Sequence, residues 1–429
     1  MPAAAAHQRM AWLDALRAVA ALLVVYAHFT HFLFRDVRAF TSSWLNAGVA
    51  GVMLFFLVSG YIIPASLERH GDLRRFWVAR AARLFPLYLA VGVAVVLVLP
   101  VAPYLKEHPA AGTIAHLTML PQFSGYDLVT PVMWTLSFEM AFYLLVAGLF
   151  ALGAHRASAP IAVVLAVAAV ATVPLPPRQL FSPMLPLAIA AVLIAGLAGL
   201  LSKRRAAVVA GALALIALVL ALLFASQDPS HVWDGLLIPA VMFTGTAIYR
   251  AEKGQIRKRH AAVAAAAVSV ACLINWFAEL RSLNALTPVY MTRAVITLVI
   301  IGGSFAIGFA CRHRRVPRSL AWVGVISYSL YLIHVPVFVL AGPWLRDHFH
   351  GAAQIPAATV FLAALLGLSW LAYRYIELPG QRLGKRYDRP GEPGPLRRPD
   401  HAMAGQAGGG VRPDERRVAV GNGGQKRVG

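Results

Sequence analysis

Two residues in the first apolar stretch have side chains and a spacing suited to group-transfer chemistry. Arg17 and His28 lie on one face of a helix, because eleven helical steps end about 20° past three turns and about 16 Å along the axis. An imidazole serves as a general base or as an acyl-carrying nucleophile, here with a cation aligned below it. Asp14, one turn away, can pair with Arg17. The structural alternative is a hydrogen-bonded core histidine with an arginine that reaches the membrane surface.

A carboxylate occurs at a comparable depth in another apolar stretch. Glu139 lies four residues before Tyr143, so the two side chains share a helix face. In the topology derived below, this helix enters the membrane from outside, which brings Glu139 to the depth of His28. A carboxylate beside an imidazole orients the ring and raises its basicity. We therefore expect Glu139 to act on His28, and we take His28, Glu139 and Arg17 as the candidate catalytic residues.

Two arginines near the start of a third apolar stretch predict a phosphate site. Arg80 and Arg83 are three residues apart and share a helix face, and Arg75 lies at the entrance. Planar guanidinium groups bind phosphate through paired hydrogen bonds. We expect these residues, with Arg17, to bind a nucleotide-like cofactor on the cytoplasmic side. The alternative is an anchor that contacts lipid headgroups.

A further polar face occurs near the end of the chain. Ser327, Tyr331 and His334 follow each other at steps of four and three, which places them on one side of a helix. A satisfied buried histidine is the structural alternative for His334. Together with Tyr143 and Trp134, these residues are our candidates for contact with the substrate.

The elements that position these side chains are predicted to be membrane-spanning helices. The chain has 429 residues, of which 59% are hydrophobic and 13% are charged. Soluble chains carry about 25% charged residues, so a soluble globular enzyme is nearly excluded. A spanning helix needs about 20 apolar residues. Twelve segments qualify: 11–33, 46–66, 76–100, 132–153, 160–175, 183–201, 206–225, 233–250, 261–278, 289–311, 320–341 and 354–376.

The predicted number of spans is not a single value, because the fifth segment is too short to be assigned as a full span. Segments 160–175 and 183–201 would form a helical hairpin if the prolines between them mark a turn, so we predict an all-α, polytopic bundle of about 10 to 12 spans. Within the second segment, the pair Ser59-Gly60 indicates close packing against a neighbouring helix.

The net charge of +21, from 39 Lys and Arg against 18 Asp and Glu, fits a membrane protein better than a nucleic-acid partner. Loops that fall inside in the twelve-span topology carry a clear excess of Lys and Arg over loops that fall outside, which is the orientation signal of membrane proteins. We therefore predict that both termini are cytoplasmic and that the bilayer is the surrounding partner.

The domain organisation follows from composition. Residues 1–10 form an N-terminal cytoplasmic segment, 11–379 the membrane domain, and 380–429 a basic cytoplasmic tail that we expect to be disordered. Residues 101–130 form the longest outside loop, and 113–120 are suited to a short interfacial helix. The only cysteines, Cys272 and Cys311, form neither a disulfide framework nor a zinc pattern, and we expect no metal.

Taken together and in order, these motifs resemble the integral-membrane acyltransferase family three. The resemblance covers about Leu13 to Pro379. It rests on Arg17-x10-His28, Phe55-Phe56-x-x-Ser59-Gly60-Tyr61, Phe76-x-x-x-Arg80-x-x-Arg83-x-x-Pro86-x-Tyr88, Trp134-Thr135-Leu136-Ser137-Phe138-Glu139, Ser327-Tyr328-x-x-Tyr331-Leu332-x-His334-x-Pro336 and Glu377-Leu378-Pro379.

The resemblance implies transfer of an acyl group, usually acetyl, from cytoplasmic acyl-CoA to a hydroxyl of a cell-surface or lipid-linked glycan. It implies that Arg17 and His28 are essential, that Arg80 and Arg83 assist on the donor side, and that Glu139 belongs to the site. It also implies a multi-pass protein of the bacterial inner membrane.

A transporter or flippase of a glycan or lipid is the alternative function. Many spans and a basic inner face suit that class as well. Against it, the sequence shows no inverted repeat of the kind that marks many transporters. The His/Glu pair and the arginine pair favour the enzyme.

Overall fold

The computed structural model describes residues 2–99, 107–175, 182–225 and 235–386, and the regular structure in these ranges is helical, without strands. The all-α prediction is therefore confirmed. The α-helices are α1 (Pro2–Leu33), α2 (Arg35–Ser42), α3 (Ala47–His70), α4 (Leu73–Val98), α5 (Pro109–Leu117), α6 (Trp134–Ala151), α7 (Ser158–Ala171), α8 (Leu185–Leu200), α9 (Arg205–Ala225), α10 (Leu237–Glu252), α11 (Lys258–Ser282), α12 (Pro288–Ala310), α13 (Arg318–Val325), α14 (Ser327–His348), α15 (Gln354–Ala372) and α16 (Leu378–Arg386).

A helix occurs at each of the twelve predicted segments. Within the described ranges, nine helical stretches are long and apolar enough to cross a membrane. The helices α7, α8 and α10 are shorter, at 14, 16 and 16 residues. The chain is thus a multi-pass membrane protein with a helical bundle.

The structure refines two of the predicted segments. The eleventh, 320–341, is not one helix: it breaks at Ile326 between α13 and α14. The fifth and sixth segments have separate packing partners, since α7 lies against α10 and α11 whereas α8 lies against α9. Residues 176–181, the predicted hairpin turn, lie outside the described residues.

The described part of the predicted outside loop, residues 107–130, folds back into the bundle. The expected short helix is present as α5, and a 3-10 turn follows at Pro121–Ser124. Met119, Leu120 and Phe123 are at most 1% exposed, and the ring of Phe123 lies 5.0 Å from that of Phe138 on α6. Burial of these apolar side chains therefore holds this part of the loop against the bundle.

Helices α3 and α10 pack in direct backbone contact. A Cβ atom on Gly60 would overlap the carbonyl of Met242, and one on Gly245 would overlap the carbonyl of Leu57. The Thr246 hydroxyl donates a hydrogen bond of 2.8 Å to the Gly60 carbonyl across the contact. Small residues allow such an approach in membrane proteins, as Ser59-Gly60 predicted.

The last helix extends beyond the predicted membrane domain. A π-helical turn, Tyr373–Glu377, joins α15 to α16, which continues to Arg386. The first residues of the predicted tail, 380–386, are therefore helical, and Gly380 packs against Ala82 and Pro86 of α4. The rest of that tail, 387–429, lies outside the described residues.

We predict that Gly60→Ala lowers the thermal unfolding temperature, because the new methyl group forces α3 away from α10 at a cost of about 1–3 kcal/mol. Gly302→Ala on α12 is the matched control, since a Cβ there meets open space. Alanine should leave stability at position 302 unchanged or improve it. Equal melting temperatures for the two variants in detergent would contradict the packing argument.

Candidate active site

Three arginines from two helices line one cavity inside the bundle, which we call the arginine cavity. Arg17 comes from the middle of α1, and Arg80 and Arg83 come from the N-terminal half of α4. The cavity has a volume of about 80 Å³. Its other polar walls are Ser59, Thr135, Glu139, Ser327, Tyr328 and Tyr331.

The arginines are incompletely paired by the protein. Arg17 has a long ion pair of 3.8 Å with Asp14. The guanidinium of Arg80 lies over the rings of Phe76 and Tyr143, at 5.5 and 5.4 Å from their centroids, while its buried Nε has no hydrogen-bond partner. Cationic groups held in this way are ready to bind an anion.

Arg83 interacts electrostatically with two carboxylates. Glu377 is its main charged partner, and Glu139 is a second. Glu377 is 1% exposed and accepts hydrogen bonds from Ser329, at 2.8 Å, and from Gln381, at 3.0 Å. These bonds hold the carboxylate within the π turn, where it offsets part of the arginine charge.

Glu139 accepts a hydrogen bond from the Tyr143 hydroxyl, as their spacing on α6 allows. Tyr143 itself is fully buried and stands behind the cavity wall. On the opposite wall, the buried Ser327 hydroxyl has no hydrogen-bond partner, while the Tyr328 hydroxyl donates to the Leu84 carbonyl at 2.8 Å. The arginine cavity therefore presents unused donors as well as charge.

A second and larger cavity, the outer cavity, lies toward the C-terminal end of α1 and has a volume of about 610 Å³. The rings of Trp134, Trp276 and Tyr290 give it apolar surfaces with polar edges, which is typical of sites for amphipathic ligands. Its charged and polar walls are His28, His31, Arg38, Asn46, Glu279, Arg293 and Thr297.

The imidazoles of His28 and His334 meet at the wall of the outer cavity. His334 is fully buried, and its Nδ1 lies 2.7 Å from the Tyr331 carbonyl oxygen and 3.2 Å from that of Leu330. Because a carbonyl only accepts, this Nδ1 carries the hydrogen, which leaves Nε2 as an acceptor.

The same reasoning assigns the tautomer of His28. Its Nδ1 lies 3.0 Å from the Val24 carbonyl oxygen and 3.4 Å from Nε2 of His334, and both of these atoms are acceptors. The hydrogen of His28 is therefore on Nδ1. The lone pair is on Nε2, the nitrogen that a base or a nucleophile uses.

The two cavities share the side chains of Val52 and Tyr331 as walls. The hydroxyls of Tyr331 and Thr135 are hydrogen bonded at 2.9 Å, and both residues are buried. Tyr331 therefore stands between the arginine cavity and the cavity that contains His28.

The predicted site residues fall into these two places. The arginine cavity contains Arg17, Arg80, Arg83, Glu139, Ser327 and Tyr331, and the outer cavity contains His28, Trp134 and, again, Tyr331. His334 and Tyr143 support these walls from behind. Arg75 is exposed at the start of α4 and lines neither cavity.

The structure does not bring Glu139 and His28 together, contrary to the expectation from the sequence. Glu139 contacts Tyr143 and faces the arginines, whereas the imidazole of His28 contacts His334. Helical spacing places each residue on a face of its own helix, but it does not decide which neighbouring helix that face meets.

Sequence reasoning missed much of the outer cavity. Trp276 and Glu279 lie near the end of α11, and Tyr290 and Arg293 lie near the start of α12. The signal was the clustering of aromatic and charged residues at two consecutive helix ends, which meet on the same side of the bundle. In the part of the chain that is described, no three His, Cys, Asp or Glu side chains are grouped so that they could hold a metal ion.

A histidine in the loop that folds back against the bundle, His116, supports the wall of the outer cavity. The Nδ1–H of His116 donates to the Gly112 carbonyl at 2.8 Å, and its Nε2 accepts from the Val129 amide at 3.2 Å. This arrangement requires the neutral ring. Burial lowers the pKa of His116 below its ordinary value. The Val129 bond positions the segment that leads to the cavity walls Pro131 and Val132.

We predict that acid loosens this loop. When the loop is open, His116 has its ordinary pKa of about 6.5. The closed loop therefore has its full stability above that pH. As the pH falls from there toward the lower pKa of the closed form, protonation favours the open loop and the closed loop loses stability. Hydrogen exchange of residues 125–134, corrected for intrinsic rates, should be faster at pH 5.5 than at pH 7.5. His116→Gln cannot be protonated, so its exchange should not change between these pH values. The same acid sensitivity in this variant would rule out His116.

Comparison with known proteins agrees with the described architecture. A family model described as an acyltransferase domain matches residues 10–229 and 180–374. The Bacillus subtilis protein YrhL is 25% identical over 416 residues, which cover 89% of this chain and 56% of that protein. The Listeria monocytogenes peptidoglycan O-acetyltransferase OatA is 24% identical over 406 residues, 87% of this chain and 56% of OatA. The chain thus spans about half the length of these relatives. No solved structure matches it.

Proposed function

The chain belongs to the membrane acyltransferase family three, and we propose that it moves an acyl group from cytoplasmic acyl-CoA to a hydroxyl of a glycan outside the bacterial inner membrane. The observation that carries this proposal is the pair of cavities that meet at Tyr331. One cavity has cationic walls that suit a phosphorylated donor, and the other has aromatic and polar walls that suit a sugar.

The arginine cavity fits the anionic part of the donor. Arg17, Arg80 and Arg83 offer guanidinium groups, and the unpartnered Ser327 Oγ would gain an acceptor when the ligand binds. A buried donor without a partner is costly, so ligand binding would recover that free energy. Glu139, held by Tyr143 at the cavity wall, supplies a negative charge that offsets part of the repulsion between the arginines.

His28 acts through Nε2, in one of two roles. As a general base, Nε2 takes the proton of the acceptor hydroxyl while the oxygen attacks the thioester carbonyl and the CoA thiolate leaves. As an acyl carrier, Nε2 attacks the thioester first and the CoA thiolate leaves; the glycan hydroxyl then attacks the acyl-imidazole, the imidazole leaves, and its Nε2 takes the hydroxyl proton. The assigned tautomer suits both roles, because Nδ1–H is occupied by Val24 and His334.

The outer cavity fits a glycan acceptor. The rings of Trp134, Trp276 and Tyr290 give flat faces against which a sugar ring packs, and Arg38, Asn46 and Glu279 give polar partners for its hydroxyls. OatA is named as a peptidoglycan O-acetyltransferase. Peptidoglycan is therefore the first acceptor to test, with acetyl as the first acyl group.

We predict that Arg83→Gln raises the KM for acetyl-CoA about 10- to 100-fold, because a charge-assisted hydrogen bond contributes about 1.5–3 kcal/mol. The KM of Arg83→Lys should lie between those of the wild type and Arg83→Gln, since lysine keeps the charge but loses the paired donors. The protein would be assayed in lipid nanodiscs through thiol release from acetyl-CoA. Arg346→Gln, outside both cavities, is the control for lost surface charge. An unchanged KM in Arg83→Gln would exclude this donor position.

We predict that His28→Gln lowers kcat for acyl transfer by about 10²- to 10⁴-fold with unchanged protein abundance, because the base or carrier nitrogen is lost. Radiolabelled acetyl-CoA without acceptor separates the two roles. Hydroxylamine-labile label on wild-type protein, absent from His28→Gln, would support the carrier. Its absence, with ternary-complex kinetics, would support the base. Full activity in His28→Gln would remove His28 from the mechanism.

A further inference from the structure

A groove on the membrane-facing surface lies beside the arginine cavity. It has a volume of about 580 Å³, and its walls come from α4, α5, α6 and α8. Apart from Arg80, Thr118 and the indole nitrogen of Trp77, the lining is apolar. Several lining side chains face outward, such as Ile194 at 71% exposed and Leu187 at 55%. We call it the lipid-facing groove.

Two polar hydrogens in this groove have no acceptor. The Nε1 of Trp77 and the Nε of Arg80 are both buried without a hydrogen-bond partner, and both side chains line the groove. A buried donor that neither protein nor water satisfies is costly. A hydrocarbon chain alone would fill the groove but leave both donors unpaired, so the ligand should also carry an acceptor.

A basic turn borders the groove. Trp77 and Arg80, near the start of α4, and Leu201, just after the end of α8, line the same groove. The turn between α8 and α9 therefore begins at the groove wall. That turn carries Lys203 and Arg204, both exposed, directly after the lining residue Leu201.

We propose that the lipid-facing groove binds an anionic phospholipid. Its acyl chain lies between α4 and α8, its headgroup phosphate or ester accepts from Trp77 and Arg80, and Lys203 and Arg204 select for negative charge. Basic pockets between membrane helices recognise anionic headgroups by this combination of charge and apolar contact. The site shares no lining residue with the proposed glycan site, and it shares Arg80 and Leu84 with the proposed CoA site.

The position of Arg80 couples this lipid to the rest of the molecule. Arg80 and Leu84 line both the groove and the arginine cavity. A lipid phosphate at Arg80 Nε would fix the guanidinium in one orientation and so lower the entropy that a second ligand in the arginine cavity must lose. Lipid binding should therefore increase the affinity of the arginine cavity for an anion.

Lipid binding is tested on the delipidated full chain in detergent, by native mass spectrometry with phosphatidylglycerol and phosphatidylcholine of identical chains. We expect phosphatidylglycerol to bind about tenfold more tightly. Trp77→Phe keeps an aromatic ring but makes it smaller and removes the N–H donor. It should weaken binding of both lipids severalfold. Lys203→Gln with Arg204→Gln should remove the preference between them. Equal binding of both lipids by wild-type protein would overturn the proposal.

A blocked groove gives a second test that does not depend on hydrogen bonding. Ile194→Trp places a large ring in the groove and should reduce phosphatidylglycerol binding at least tenfold. Val299→Trp, at an exposed apolar position on α12, is the matched control and should bind as wild type does. Unchanged binding in Ile194→Trp would show that lipid lies elsewhere and would also overturn the proposal.

The coupling is measured through acetyl-CoA binding in nanodiscs with and without phosphatidylglycerol. Wild-type protein and Val299→Trp should gain affinity with the anionic lipid, whereas Ile194→Trp should not. If acetyl-CoA does not bind at all, the proposed donor is wrong while the lipid-binding results stand. If acetyl-CoA binds equally with both lipids in wild-type protein, the coupling through Arg80 is excluded.

Discussion

Three guanidinium groups share one small cavity within the bundle, and the electrostatic cost of this arrangement constrains the surrounding helices. Like charges repel strongly in a low-dielectric interior, and cations there need partners. The carboxylates of Glu377 and Glu139 supply opposite charge, each from a different helix. Glu377 in turn is held by Ser329 and Gln381, and it lies in the π turn, which packs against α4.

The arginines also need a rigid frame, because a cation that moves by a few ångström loses its partners. Glycines supply this frame by allowing backbone contact. A Cβ atom on Gly324 of α13 would overlap the carbonyl of Asp14, which is the ion-pair partner of Arg17. The contact of Gly60 with Met242 fixes α3 against α10 in the same way. Since hydrophobic burial does not drive helix association within lipid, such close packing carries much of the stability.

The sequence predicted the positions of the helices better than the contacts between them. Apolar length found a helix at every expected segment, and the 3.6-residue period placed Arg17 with His28 and Glu139 with Tyr143. The period describes one helix at a time, so it paired Glu139 with His28 on depth alone, whereas the structure joins His28 to His334. The break at Ile326 was also missed, because the hydrophobic pattern continues through it. Contacts between distant helices depend on packing that a single helix does not encode.

The separation of the two cavities restricts the kind of donor that the proposed reaction can use. Arg17 and His28 share a face of α1 but lie about 16 Å apart along its axis, with Tyr331 between their cavities. A donor such as an acyl phosphate has its anion next to its reactive carbonyl, so binding at the arginines would leave that carbonyl far from His28. A donor with a long, narrow arm between its phosphates and its thioester satisfies both positions at once. The proposed acyl-CoA has this form, and only its arm would have to pass Tyr331 to reach His28.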